Sequence, residues 1–383
     1  MKLNVVAILL IGSSLIPMSV PAHHGGSFYD GTRSITVRGA VTEFRFVNPH
    51  VVIVIAVESA DAEPVEWAGE LTSPNRLARA ASGGGATNTI HWSRDILVPG
   101  DEIELTGNPS RNGAPAMRVT RVVDASQVVL LGGDEPEVDD APAPREPEYT
   151  SAVPEGDGGD LRGVWMRRND YAYQNYAFSA DLPPMTPWAM SQYEEARPTF
   201  GPNGVAVSQT NDLVYQCFPP GVPRIYFHPH PFEIVQTPGR IMIAYEYQQL
   251  LRQVFTDDRT HRTDLAPMWM GDSTGHWEGD TLVVETVNFN DKTWIDRRGV
   301  PHSDQLRVVE RIRRGGENEL IVDIMVEDPI AFTEPWTARK VFDKVDWSLE
   351  EFICLDDSSY QEFERELLEY NDGSSEERTS TQR

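Results

Sequence analysis

The sequence contains no glycine-rich phosphate loop, no Gly-x-Ser-x-Gly elbow, no His-Glu-x-x-His and no heptad repeat. Those absences disfavour nucleotide-dependent chemistry and the commonest hydrolase routes. Positive charge is also short: 33 Lys and Arg stand against 59 Asp and Glu, for a formal net charge of -26. A nucleic-acid partner would need a concentrated basic surface against that field, so none is expected. Cysteine is scarcer still, with Cys217 and Cys354 alone and no Cys-X-X-Cys. That argues against a reactive thiol. In an oxidising compartment the pair is expected to form one structural disulfide, with separate buried thiols as the alternative. Beyond the first two dozen residues no apolar run is long enough for a membrane span.

What is present begins with a secretory signal. Lys2 supplies a positive n-region, residues 5–16 an apolar core too short to cross a bilayer, and Val20-Pro21-Ala22 small residues for cleavage. Residues 1–22 are therefore expected to be removed and the protein to be periplasmic or secreted. The mature chain would start His23-His24, and a terminal histidine offers its free amine and a ring nitrogen to copper or zinc. His50, with His91 as a further candidate, is placed to complete such a site if the terminus folds back. A solvated terminus is the alternative, with His50 hydrogen-bonded within its own turn.

Residues 35–44, 51–57, 65–71, 102–107 and 117–123 alternate or run apolar as short strands. Pro99-Gly100-Asp101 and Asn112-Gly113 supply turns, and residues 71–81 a possible helix. Five such strands predict a small OB-like barrel over 23–131, whose surface is a candidate site for an oligosaccharide or a partner protein. HHGGSF, ITVRGAVTEFRFVNPH, WAGELTSPNRLAR and VPGDEIELTGNPSRNGAPAM resemble an uncharacterised family of secreted bacterial domains. That family has a His-His-Ser-Phe-like start, a Gly-x-Val strand and Asn-Pro-His and Pro-Gly-Asp turns. Gly25-Gly26 and a Ser/Gly-rich insertion over 80–88 depart from its pattern.

Residues 132–160 are rich in Pro, Gly and acid, as expected of an extended, solvated linker. Residues 161–360 then carry a second strand series. It opens on Gly163-Val164-Trp165, which resembles the Gly-x-Trp opening of lipocalin-like barrels, where the tryptophan plugs one end. Segments 232–236, 240–247, 250–255, 281–287, 305–311, 320–327, 336–342 and 351–354 read as strands, and Pro-bracketed 188–197 as a short helix over the barrel mouth. The text from Cys217 to Arg314, with WMGDSTGHWEGDTLVVETVNF at its centre, resembles a secreted bacterial family that follows the first domain in one polypeptide. The fold class expected is thus all-β: a small OB-like barrel followed by a larger antiparallel lipocalin-like barrel. Residues 361–383 are expected to be an acidic, largely disordered tail, with 362–370 able to form a helical turn or two.

A hollow, aromatic-walled cylinder would accept a small lipophilic or aromatic molecule, and Trp269, Trp277, Trp294 and Tyr245 are its candidate lining. The alternative is an acid/base enzyme of isomerase, lyase or hydrolase type in the same cavity. Its candidates are His261, His302, Asp272, Glu310 and Arg259, because a histidine paired with a carboxylate in an apolar barrel is tuned for proton transfer. Glu310 and Arg311 occupy opposite faces of one strand, so one of them points inward and needs a partner there. Turn chemistry is the competing explanation for the same polar residues. His228-Pro229-His230, with His261 or His302, is a further imidazole cluster to consider for zinc or iron. No cofactor is identified, and the first domain is the candidate site for a protein partner.

Overall fold

The structure, a computed structural model, describes residues 28–59, 62–79, 90–132, 159–168, 177–196, 212–354, 363, 366, 367 and 370. The expected signal segment, His23, His24, most of the linker and residues 371–383 lie outside the described residues.

Strands β1 (Ile35–Arg45), β2 (Val52–Ser59), β3 (Ala62–Glu70), β4 (Glu102–Pro109), β5 (Ala116–Asp124) and β6 (Val129–Leu131) form one sheet in the order β3-β2-β1-β4-β5-β6. A parallel pairing of β3 with β5 closes the first five into a barrel. Alternation does the sorting: Ile53 and Ile55 of β2, Ile103 and Leu105 of β4 and Met117 of β5 are buried together. Gly39 marks a close approach of β1 to β2, since a Cβ there would lie 2.1 Å from the Ala56 carbonyl oxygen. The expected helix is one turn, α1 (Pro74–Ala78), opened by Pro74 and ended at Arg79, whose backbone is extended. Its Leu77 is fully buried in the barrel core.

The second barrel is built from β7 (Gly163–Arg167), β8 (Phe232–Thr237), β9 (Arg240–Tyr245), β10 (Leu251–Phe255), β11 (Asp272–Glu278), β12 (Thr281–Val287), β13 (Arg307–Gly316), β14 (Glu319–Glu327) and β15 (Trp336–Val345). These nine close in chain order, β15 pairing back onto β7. All neighbours are antiparallel except β10 and β11, which run parallel through Val254↔Ser273 and Phe255↔Thr274. Helix α2 (Pro187–Ala196) lies where the proline brackets place it and buries Ala189, Tyr193 and Ala196. Trp165 is fully buried, donates Nε1 to the Leu161 carbonyl at 2.9 Å, and is covered by the Arg314 guanidinium 4.8 Å from a ring centroid. No helix among the described residues is long and apolar enough to cross a membrane.

Some expectations are corrected. Residues 351–354 are not a strand: β15 uses its free edge to close on β7, so the barrel has no edge left for another strand. Residues 246 and 247 leave β9 for a turn, and β13 starts at Arg307 because Ser303 Oγ accepts the Gln305 amide at 3.1 Å and holds a turn there. Cys217 and Cys354 are bonded, with Cα atoms 5.6 Å apart, yet neither is on a strand. Cys217 caps the 3-10 turn Leu213–Gln216 in the left-handed region, φ 62°. The tail also has a docked part, since Phe363 packs on Val52 and Leu367 lies against the same wall of the first barrel.

Candidate functional site

The inward face of the second barrel carries a closed polar network. Arg252 of β10 and Glu310 of β13 are an ion pair, 2% and 0% exposed at the side chain. Arg252 Nη1 donates to Glu310 Oε1 at 2.9 Å and to the Tyr226 hydroxyl at 3.2 Å. Its Nη2 donates to the other Glu310 oxygen and to Thr286 Oγ1 at 2.7 Å, while Nε donates to Ser273 Oγ at 3.1 Å. A guanidinium has five N–H groups, and all five are used. The strands β10, β11, β12 and β13 are thereby tied together from inside. Gly271, at φ +68°, admits this arrangement, because a Cβ there would stand 2.6 Å from Thr286 Cγ2.

Around this network Tyr226 lies among Phe232, Tyr245 and Phe342, with ring centroids 5.5, 5.9 and 5.7 Å away. Where an open cavity was expected, these rings and the ion pair fill the barrel, because the turn Arg224–Phe227 turns its side chains into it. Arg224 is itself held by a buried Asp212, Nη1 to Oδ1 at 2.7 Å. Burial and then the Glu310 charge push the Tyr226 hydroxyl well above its ordinary pKa. Burial likewise takes Tyr245 to about 12. The Tyr245 hydroxyl is buried with no partner at hydrogen-bonding geometry among the described residues.

The acid/base candidates divide. His261 and Asp272 are brought together, Nδ1 to Oδ2 3.0 Å, on the outer face of the barrel. Thr274 Oγ1 and Glu285 Oε1 each lie 3.2 Å from His261 Nε2. Both nitrogens face a carboxylate, so both contacts are hydrogen bonds only when the ring carries two protons. Glu285 in turn accepts from Arg307, which also reaches Glu327. The result is a row of alternating charges across β11 to β14.

The other three catalytic candidates are elsewhere. His302 is buried in the β12–β13 connection, its Nδ1 2.8 Å from the Ser303 carbonyl oxygen and its Nε2 2.6 Å from Thr293 Oγ1. Burial lowers its pKa, against the Ser303 carbonyl and the Asp328 charge. Glu310 belongs to the interior pair, and Arg259 is bonded to Asp257 over the Phe255 ring. Among the ligand candidates Tyr245 alone is in the interior ring cluster. Trp269 stacks on Phe218 at 5.1 Å, Trp294 lies under Arg224, and Trp277 is exposed at the end of β11.

At the first barrel His50 Nδ1 is 3.1 Å from the Leu71 carbonyl oxygen and His91 Nδ1 is 2.8 Å from that of Ala78. No three His, Cys, Asp or Glu among the described residues converge as metal ligands. His228 and His230 pack on Tyr247 instead, and His230 Nδ1 is 3.2 Å from Glu246 Oε1. Glu246, fully buried, also accepts from Arg79 at the end of α1, Nη1 to Oε1 2.9 Å, so it joins the two barrels. Asn75 adds a bond to the Glu351 carbonyl at 3.0 Å. Burial opposes the Glu246 charge, but the Arg79 and His230 hydrogen bonds prevail and hold its pKa at about 2.

A concave surface of about 400 Å³ lies outside the first barrel, between Thr42, Glu43, Arg45, Val54, Glu66 and Ala68 and the C-terminal Phe363, Glu366, Leu367 and Tyr370. Sequence reasoning missed Arg252 as the partner of Glu310, although Arg252 shares the inward phase of Val254 in β10. It also missed Lys340, buried on β15.

Fold and site together define an all-β protein of two barrels, 45% strand and 10% helix. Residues 14–117 match a family of unknown function, DUF6152, which covers the first barrel as far as the start of β5. Among curated proteins none matches the chain.

Proposed function

We propose that the protein acts by binding, and that the outer β1–β2–β3 face of the first barrel docks an amphipathic segment of a partner protein. The observation that supports this is the occupant already there. Phe363, Leu367 and Tyr370 follow helical spacing, and Phe363 covers Val52 while Leu367 packs on the neighbouring cluster of Phe28, Tyr29 and Ala116. A full-length Phe363→Ser/Leu367→Ser variant should bind a labelled synthetic peptide of residues 361–371 saturably, and the unaltered chain much more weakly. Absence of binding to the variant sinks this reading.

A second reading places a small lipophilic or aromatic molecule in the second barrel, at the end where Phe178 meets Trp336 at 4.3 Å and Phe227 at 6.1 Å. Native mass spectrometry of protein purified from its producing cell tests this directly; a chain carrying no small molecule counts against it. Acid/base turnover has less support, because Glu310 is committed to Arg252 inside the barrel and His302 to Thr293 and Ser303, while His261 and Asp272 pair with each other on the outer face. Export to the periplasm or beyond, and copper or zinc on His23 and His24, rest on the sequence. N-terminal sequencing and metal analysis of the exported protein test them.

A further inference from the structure

The C-terminal segment and the barrel face it covers carry charge of the same sign. The floor of their contact is apolar: Val52 and Val54 of β2 share the outward phase with Ala68 of β3, which pairs with Val54. Acids stand around it. Glu43 of β1 and Glu66 of β3 are exposed, and Glu366 of the covering segment lines the same concave space. Arg45 is the one base among the described lining residues, and it donates to Glu43 at 2.7 Å through Nε and at 2.6 Å through Nη2. Glu66 has no ion pair among the described residues.

The segment over this face matches it in shape but not in charge. Residues 361–371 read QEFERELLEYN, four glutamates against one arginine. Like charges set against each other across a contact weaken it and select against that occupant. The apolar fit is also incomplete. Phe363 is 6% exposed, whereas Tyr370, last of the apolar series, is 39% exposed, and about 400 Å³ of concave space remains between segment and barrel. Asn112 Nδ2 donates to the Leu367 carbonyl at 2.7 Å, a backbone contact that makes no demand on the side chains of the occupant.

We infer that the partner segment taken by this face is basic as well as amphipathic: apolar anchors at i, i+4 and i+7 on the floor, with lysine or arginine beside them in the space left unfilled. This rests on the docking reading of the face and names the chemistry of its partner. A lysine or arginine laid across Val54 and Ala68 places its methylenes on the apolar floor and its charge at the rim with Glu66. The chain's own acidic segment is then a weakly held placeholder, which keeps Val52 and Val54 from water until a segment of complementary charge displaces it.

The test uses full-length Phe363→Ser/Leu367→Ser protein and labelled peptides, with fluorescence anisotropy as the readout. One peptide is residues 361–371 as they stand, and a second carries Glu362→Lys, Glu364→Lys, Glu366→Lys and Glu369→Lys. The basic peptide should bind about tenfold more tightly at an ionic strength of about 0.03 M, and the margin should shrink below about threefold at about 0.5 M. Adding Glu66→Lys to the protein should remove most of that margin. A third peptide, basic but also carrying Phe363→Ser and Leu367→Ser, controls for the pull of a net charge of -26 on any cation and should bind far more weakly. The unaltered chain should also take up the basic peptide, displacing its own segment, so the comparison stands even if the variant misfolds. Equal affinity for the acidic and basic peptides would keep the docking face and overturn the basic partner. Equal binding of the basic peptide without anchors would overturn it too, by reducing the preference to bulk charge. If no peptide binds either protein, the docking reading fails and this inference with it.

Discussion

Replacing Arg252 by Met should be far more damaging than replacing Arg252 and Glu310 together. In the single variant Glu310 stays buried at 0% exposure and loses the donors to both its oxygens, while Tyr226, Ser273 and Thr286 lose a shared donor. Breaking a buried ion pair from one side costs about 3 to 5 kcal/mol, because an uncompensated charge remains. For a domain of this size that corresponds to a fall in Tm of roughly 6 to 20 °C. In Arg252→Met/Glu310→Leu both charges go, and Ser273 and Thr286 retain each other at 3.0 Å. The double variant should therefore lie within about 2 kcal/mol of the parent, since well-packed apolar replacements of such pairs are neutral or stabilising. Guanidinium unfolding followed by tryptophan fluorescence and far-UV circular dichroism gives the four corners of the cycle. If the double loss equals the sum of the two single losses, the coupling is zero and the closed-network account is wrong.

Reducing the Cys217–Cys354 bond, which closes a separation of 137 residues, should lower stability by at most roughly 5 kcal/mol on the chain-entropy model; unfolding midpoints with and without reductant check this. Glu246 has a folded pKa of about 2 against an ordinary 4.5, so its contribution is fully present above 4.5 and is lost as pH falls from there toward 2. The pH dependence of the unfolding midpoint should flatten over that window in Glu246→Gln, and an unchanged slope would show that the Arg79 contact does not join the barrels in solution. Gly271→Ala combines a positive φ with a 2.6 Å clash onto Thr286 and should cost about 2 kcal/mol or more in the same unfolding assay, whereas Gly279→Ala, with open space around it, should cost less.

Much of the fold could be read from the chain because barrel strands carry a local signal. Leu282, Val284 and Thr286 face one way and Glu285 the other, and the same alternation requires one of Glu310 and Arg311 to point inward and find a partner; the structure makes it Glu310. The partner itself was out of reach, since Arg252 meets Glu310 only after the barrel closes. Tryptophans misled for a related cause: Trp269 and Trp294 sit in connections, where alternation says nothing of direction, and Trp277 lies at the exposed end of its strand. His261 and Asp272 are both legible as candidates, but their meeting depends on the path of residues 256–271, which carries no strand alternation. Lys340 went unnoticed because a lysine in an alternating strand reads as solvent-facing, and only the phase set by Trp336 and Phe342 turns it inward.

The parallel contact of β10 with β11 is only two residue pairs long, while its neighbour β11–β12 runs from Asp272↔Val287 to Glu278↔Thr281. The cylinder thus has one thin stave joint, stitched from within by Arg252 to Ser273 and pinned from without by His261 to Asp272. Hydrogen exchange should begin at the Phe255 amide, on the β11 side of β10, before the Val254 amide, which faces β9. A guest bound for the interior would find its cheapest doorway in that flank, not at either rim.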